Sequence, residues 1–138
     1  MGFVLVVVNF LSILAFGSSM PVLSGVSAIW RNMAEKLFWT GINRVVKVNI
    51  GVQLLIYLTG RGRIFREYWG AVRYQGTFND PNQLAFFLFM MILLLYLYRC
   101  RFGDRSFPVF YVLALPVIAA SKSTGILLGV LIFTVLAV

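Results

Sequence analysis

The sequence has no histidine, a single cysteine and only four acidic residues among its 138. Without histidine it lacks the commonest general base and the commonest metal ligand. Cys100 alone can form neither an internal disulfide nor a cysteine-based zinc site. So few carboxylates leave little for a paired-carboxylate hydrolase, and no Ser-His-Asp set, P-loop or GxGxxG motif occurs. The sequence therefore predicts no metal and no cofactor, and its catalytic residues stay unknown.

Charge is scarce and hydrocarbon is abundant. Hydrophobic residues make up 61% of the chain and charged residues 12%, with a mean hydropathy of +0.93. A soluble domain carries about 25% charged residues, so this composition predicts an integral membrane protein of the helical type. The net charge of +8 comes from Lys and Arg placed mostly between apolar runs, where they meet lipid headgroups. Nucleic-acid binding is not expected, because no soluble basic domain is present.

The apolar runs predict an all-α, polytopic membrane bundle of about four or five helices, forming one membrane domain. Strands are excluded as spans because "FFLFMMILLLYLY" is apolar on every face. Residues 17–44 stay ambiguous, with "RNMAEKLFW" resembling a short interfacial segment. The chain ends inside an apolar run, so we expect it to be a piece of a larger protein. The predicted spans lie near 3–20, 45–60, 82–98, 107–120 and 124–138, with an extracytoplasmic loop at 61–81.

The side assigned to that loop depends on counting positive residues on either side of the predicted spans. Cytoplasmic loops carry an excess of Lys and Arg. One side holds seven of them: Arg31, Lys36, Arg44, Lys47, Arg99, Arg101 and Arg105. The other side holds five: Arg61, Arg63, Arg66, Arg73 and Lys122. The count favours 99–105 inside and 61–81 outside, although an outside loop with four arginines is unusual.

The stretch "NDPNQLAFF" has the sequence pattern of a capped helix N-terminus. Asp80 before Pro81 fits an N-cap followed by proline at the first helical position. Gln83 then falls at the third helical position, which gives the D-x-x-Q form of a capping box. Helix capping explains Asp80, Pro81 and Gln83 without any catalytic role.

Capping does not explain the arginines in "RGRIFREYWGAVRY". The apolar residues between them recur at i, i+1, i+4, i+5 and i+8, which predicts a helix lying in the interface with its arginines on lipid phosphates. The alternative is a phosphate-binding site, because a helix N-terminus offers free N–H donors and arginine offers a planar fork. The two together suit a lipid-linked pyrophosphate. Arg73, three residues before Gly76, is the best single candidate for that contact.

A second polar break, "SKSTG" at 121–125, lies on the same predicted side as the loop. Ser121 or Ser123 could cap the next helix, and Lys122 with Thr124 could bind an anion. Short hydroxyl-rich turns between spans are common, so a purely structural turn is the alternative interpretation.

The two breaks together resemble a known family. "R-x-x-G-T-F-N-D-P-N-Q-L-A" before an apolar helix, followed by S-x-S-x-G, resembles the O-antigen ligases and O-antigen polymerases. The resemblance is specific over about 73–85 and looser over 86–138. It implies a bacterial inner-membrane enzyme with the membrane-embedded C-type glycosyltransferase fold. Such enzymes transfer glycan from undecaprenyl pyrophosphate, on the periplasmic face, to lipid A–core or to a growing polymer, without nucleotide sugar or metal.

By position, Arg73, Gly76, Asp80, Pro81 and Asn82 match the family's conspicuous loop. The resemblance implies that Arg73, Gly76 and Asn82, with Lys122 from the second break, contact the lipid pyrophosphate. At that second break the family usually shows Ser-Arg-Gly or Ser-Arg-Thr, whereas Thr124 stands here in place of the arginine. The family's later periplasmic loop, with its histidine, would lie beyond Val138, so this chain alone is expected to be inactive in transfer.

Two other classes of function stay open. A fragment of a transporter or channel would place polar residues inside its spans, where this sequence offers Asn49, Gln53 and Lys47. A non-catalytic protein could use the same arginines only to anchor itself to anionic membrane lipids. Within the resembled family, the sequence separates neither ligase from polymerase nor one donor or acceptor glycan from another.

Overall fold

A computed structural model describes residues 28–66 and 70–137 as four helices and one β-hairpin. The helices are α1 (Ala28–Leu58), α2 (Pro81–Phe102), α3 (Phe107–Ser121) and α4 (Thr124–Ala137). The hairpin joins α1 to α2 and consists of β1 (Arg63–Arg66) and β2 (Ala71–Tyr74). The described chain is therefore mainly helical. The predicted span near 3–20 lies outside the described residues.

The chain divides into two compact units, Met1–Ile42 and Asn43–Val138. In the described part of the first unit, the Phe38 and Trp39 rings meet edge to face with centroids 6.2 Å apart. The Thr40 hydroxyl donates to the Lys36 carbonyl 2.7 Å away, one turn back along α1. All the contacts that follow lie within the second unit.

The span predicted near 45–60 covers only the second half of a longer helix, because α1 continues unbroken from residue 28 to residue 58. "RNMAEKLFW" is part of this helix and not a separate interfacial segment. The sequence offers Lys47 as one of the few polar residues inside a predicted span. In the structure the Lys47 ammonium lies 2.7 Å from the Asp104 carboxylate in the α2–α3 turn. This ion pair with a residue distant in sequence allows the charged Lys47 to lie within α1.

The predicted interfacial helix over residues 61–74 is also wrong. Arg63–Arg66 and Ala71–Tyr74 pair as antiparallel strands, with Ile64 opposite Arg73 and Phe65 opposite Val72. Two glycines with left-handed backbones hold the open end of this hairpin. Gly62 has φ +75°, and a Cβ added there would lie 2.8 Å from the Gly76 Cα. Side chains at this crossing would force the backbones apart, so the glycines favour the hairpin.

The core of the second unit lies between α2, α3 and the inner face of α1. Leu84, Leu88, Ile92 and Leu95 are buried at helical spacing along α2. The fully buried partners from α3 and α1 are Ala114, Val117, Ile118, Val46 and Ile50. These contacts pack α2 against α3, and they place the start of α2 beside the end of α3.

Helix α4 is held mainly by aromatic contacts. The Phe133 ring meets the Tyr96 ring edge to face with centroids 5.2 Å apart, and it lies 6.1 Å from the Tyr111 ring. Next to it, the hydroxyls of Tyr111 and Thr134 form a short hydrogen bond between α3 and α4. Most other large apolar residues of α4 are exposed, including Leu131, Val135 and Leu136.

One described helix, α2, is long and apolar enough to cross a membrane. At about 1.5 Å per residue its 22 residues span roughly 33 Å. The helices α3 and α4 are apolar but shorter, with 15 and 14 residues.

Candidate functional site

Arg73 joins three elements at one end of the second unit. Its Nε donates to the Ser121 carbonyl oxygen at 2.7 Å, and its Nη2 donates to the Asn82 Oδ1 at 2.9 Å. Arg73 lies on β2, Asn82 in the first turn of α2, and Ser121 at the end of α3. The two polar breaks singled out in the sequence therefore meet at this arginine.

Asp80 is the N-cap of α2 and occupies the backbone donors at the start of that helix. Its Oδ1 accepts from the Asn82 and Gln83 amides at 2.7 Å and 3.4 Å. The Leu84 amide bonds to the Asp80 carbonyl at 3.2 Å, and Pro81 has no N–H. The prediction of free N–H donors for a phosphate at this helix start is therefore wrong, because the cap already uses them. An anion here would have to be bound by side chains.

Lys122 lies directly beside the Arg73 contact, between α3 and α4. It is exposed and has a left-handed backbone with φ +54°, which turns the chain from one helix into the next. Ser121 and Ser123 are buried, and the Ser121 Oγ accepts from the Ser123 amide at 3.3 Å. Thr124 and Gly125, the first residues of α4, are exposed. A helix N-terminus carries partial positive charge, so this turn adds positive potential next to Arg73.

Gly76 serves packing in this structure. It has φ +58°, and a Cβ added there would collide with the Gln53 Oε1 and would lie 3.2 Å from the Tyr74 hydroxyl. Gln53 is 4% exposed, and its Nε2 donates to the Thr77 Oγ1 at 2.7 Å. Gly76 therefore lets the segment after the hairpin lie close against α1. The structure brings Arg73, Asn82 and Lys122 together, whereas Gly76 shapes the support beneath them.

Tyr74 anchors the hairpin from below, a role that sequence reasoning missed. It is 1% exposed, and its hydroxyl donates to the backbone carbonyl oxygen of Gln53 at 2.9 Å. Burial raises the pKa of the Tyr74 hydroxyl above its ordinary value of 10, so it remains a donor at neutral pH. Its ring meets the Tyr57 ring edge to face at 5.3 Å. Successive residues of a strand point to opposite faces, so a strand containing the charged Arg73 would have predicted a buried Tyr74. The helical interpretation of this segment did not make that prediction.

The site can bind negative charge, but it shows no group for acid–base or metal chemistry. Arg73 and Lys122 are its cations, and the Asn82 amide is held beside the guanidinium. Among residues 28–66 and 70–137, no three His, Cys, Asp or Glu side chains come together as metal ligands. In comparisons with protein-family models, curated proteins and solved structures, nothing matches this chain.

Proposed function

We propose that this chain is part of a bacterial inner-membrane glycosyltransferase of the O-antigen ligase or polymerase type. In this proposal it supplies the site that binds the pyrophosphate of an undecaprenyl-linked glycan donor. The acceptor would be lipid A–core or a growing glycan, and the hairpin end would face the periplasm. The observation that carries the proposal is the pair of bonds from Arg73 to Asn82 and to the Ser121 carbonyl.

A membrane environment is supported by the apolar surface of the described helices. On α1 the exposed residues Val45, Val48, Val52 and Leu55 recur at helical spacing, on the side opposite the buried Val46 and Ile50. A helix that is apolar on both faces is usual in lipid and unusual at a water-exposed surface. Exposed apolar residues also run along α3 and α4. We infer a polytopic bundle in which α2 spans the bilayer.

The proposed pyrophosphate site lies between Arg73 and the α3–α4 turn. Arg73 is oriented by two protein acceptors, so its guanidinium plane is set before any ligand arrives. Lys122 is exposed one residue beyond one of those acceptors. The first turn of α4 adds the positive end of a helix dipole. This differs from the sequence prediction, which placed the phosphate at the start of α2.

The chemistry that such a site could supply is electrostatic. In glycan transfer from a polyprenyl pyrophosphate, the bond between sugar and phosphate breaks and the pyrophosphate leaves with additional negative charge. Fixed cations stabilise that charge as it develops, and removing one such contact typically costs about 100-fold or more in rate. Arg73 and Lys122 would therefore bind the donor and stabilise the leaving group.

Binding of a polyprenyl pyrophosphate to the purified chain tests this function. Affinity would be measured in neutral detergent against polyprenyl pyrophosphate, and against phosphatidylglycerol as a competing lipid phosphate. We expect Arg73→Gln to weaken pyrophosphate binding by about tenfold or more, since a hydrogen bond between charged groups contributes about 1.5–3 kcal/mol. Lys122→Gln should weaken it by less, because Lys122 is exposed and solvent screens its charge.

Arg63→Gln is the matched control, because Arg63 is exposed on the other strand of the same hairpin. Its removal changes the net charge equally and should leave pyrophosphate affinity unchanged. Arg73 also joins three elements, so Arg73→Lys keeps the charge for the case in which Arg73→Gln unfolds. Equal affinities for Arg73→Gln and Arg63→Gln, in folded protein, would refute the assigned site. No preference for pyrophosphate over phosphatidylglycerol in the binding that Arg73→Gln removes would refute the function.

A further inference from the structure

A second cationic site lies at the opposite end of α2, about 33 Å from the Arg73 site at roughly 1.5 Å per residue. Here the α2–α3 turn borders an open surface cavity of about 290 Å³, lined by Arg99, Gly103, Asp104, Arg105 and Pro108. An added Cβ at Gly103 would meet nothing within 4 Å, so the cavity wall is open at that residue. The pyrophosphate proposal makes no use of this cavity.

The cavity is positively charged in spite of Asp104. The Asp104 Oδ2 accepts from the Lys47 ammonium at 2.7 Å and from the Asn43 Nδ2 at 3.3 Å. Its Oδ1 accepts from the Ser106 amide at 2.9 Å. The carboxylate is therefore compensated within the protein, by Lys47 above all. Arg99 and Arg105 give the cavity its net charge.

The two arginines present their charge differently. The Arg99 guanidinium lies 5.3 Å from the centre of the Phe107 ring, a cation–π contact that orients it at the end of α2. The Phe107 ring is itself buried, so this support is rigid. Arg105 is exposed in the turn and can close on a ligand from the solvent side. The oriented guanidinium of Arg99 and the exposed guanidinium of Arg105 together suit a phosphate group.

The surroundings favour a lipid phosphate over a free one. Leu97, two residues before Arg99, is 53% exposed, and Val109, one residue after Pro108, is 57% exposed. The cavity thus lies at the end of the helix proposed to span the bilayer, with exposed apolar residues on both helices leading away from it. A headgroup in the cavity would leave acyl chains beside those residues.

We propose that this cavity binds the phosphodiester headgroup of an anionic phospholipid, with Arg99 and Arg105 as its contacts. The inference rests on the membrane location in the proposed function and not on glycan transfer. A bound lipid here would hold the α2–α3 turn at the membrane surface, at the end opposite the pyrophosphate site.

The test compares two single variants of the full chain purified in neutral detergent. Arg105→Gln removes a cavity residue, and Arg44→Gln removes an exposed arginine on α1 next to Asn43, which bonds to this turn. Both lose one positive charge at the same end of the molecule. Binding of phosphatidylglycerol and of phosphatidylcholine would be measured by native mass spectrometry. We expect the wild type to retain phosphatidylglycerol preferentially, and Arg105→Gln to lower its affinity about tenfold.

Arg44→Gln should retain phosphatidylglycerol like the wild type. Equal losses in the two variants would indicate diffuse attraction and overturn the proposal, as would no loss in Arg105→Gln. Inorganic phosphate and glycerol 3-phosphate form a further arm. Displacement of the lipid by either one at comparable concentration would indicate a small-anion site and would also overturn it. Since Arg105 is exposed, its replacement does not disturb the core.

The outcome is separable from that of the pyrophosphate assay. A chain that does not partition into membranes would remove the basis of both proposals. A membrane-bound chain that binds polyprenyl pyrophosphate through Arg73, but responds equally to Arg105→Gln and Arg44→Gln, would overturn only the lipid site.

Discussion

Replacing Asp104 by asparagine would measure the ion pair that joins α1 to the α2–α3 turn. Burial alone would raise the pKa of this carboxyl, but bonds from Lys47 and Ser106 outweigh it and lower the pKa from 3.8 to about 2. The side chains of Lys47 and Asp104 are only 21% and 17% exposed, so solvent screens the pair little. At about 1.36 kcal/mol per pH unit, the gap between 3.8 and about 2 corresponds to roughly 2 kcal/mol of stability.

The sign of the pH dependence follows from the depressed pKa. Above pH 3.8 the carboxylate is charged in both the folded and the unfolded chain, and the whole contribution is present. As the pH falls through 3.8 towards 2, the unfolded chain binds a proton first and the stabilisation is lost. Asp104→Asn should therefore be about 2 kcal/mol less stable than the wild type at pH 7, with the difference shrinking between pH 4 and pH 2.

Urea unfolding of the detergent-solubilised chain at a series of pH values is the assay. Lys47→Met and the double variant complete a double-mutant cycle, in which the two losses should be strongly non-additive because each removes the same pair. If the free energies of unfolding of the wild type and of Asp104→Asn changed by the same amount between pH 4 and pH 2, this reasoning would be refuted. So would a stability at pH 7 that does not change in the variant.

Five further substitutions, which make three comparisons, test the hairpin end by thermal unfolding. Gly76→Ala should destabilise the chain by more than about 2 kcal/mol, because a left-handed backbone and the Gln53 side chain both oppose a Cβ. Gly60→Ala is the control: Gly60 has φ +74° and open space around it, so this change should cost only about 1–2 kcal/mol. Equal losses in the two variants would contradict the close contact at Gly76. Asp80→Ala should cost about 1 kcal/mol through its lost cap, and Asp80→Ser should recover most of it, so a Ser variant no better than Ala would argue against capping. Tyr74→Phe should cost about 1 kcal/mol by removing the bond from the buried hydroxyl to the Gln53 backbone carbonyl, and no change in melting temperature would contradict that bond.

The local sequence pattern was enough to locate the start of α2. An Asp-Pro pair followed by Gln and a long apolar run specifies a helix start through bonds within four residues of the cap, so no distant contact is needed. The ends of α2 and α3 follow in the same way from "RFGDRS" and "SKSTG", where Gly103 and Lys122 take left-handed backbones. These features depend on the chain's own neighbours, and the sequence contains those neighbours.

Long-range contacts decided what the sequence predicted incorrectly. The segment 61–74 has a helical spacing of apolar residues, yet Gly62 and Gly76 pack backbone to backbone and Tyr74 is buried under the strands, which favours a hairpin. Lys47 was expected as a polar residue inside a span, yet it binds Asp104, 57 residues away, within a helix that begins at residue 28. Neither partner is within reach of a local pattern.

The candidate site shows the same division. The residue types marked Arg73 and Lys122 as side chains that could bind a phosphate, and the family resemblance added Gly76 and Asn82 to that prediction. Their arrangement came from packing, since α3 packs against both α2 and β2 and so brings the Ser121 carbonyl to Arg73, 48 residues away. The cap geometry then moved the expected phosphate from the start of α2 to the turn before α4. Composition and local pattern thus determined which residues carry charge and where α2 begins, and tertiary packing decided which of those charges meet.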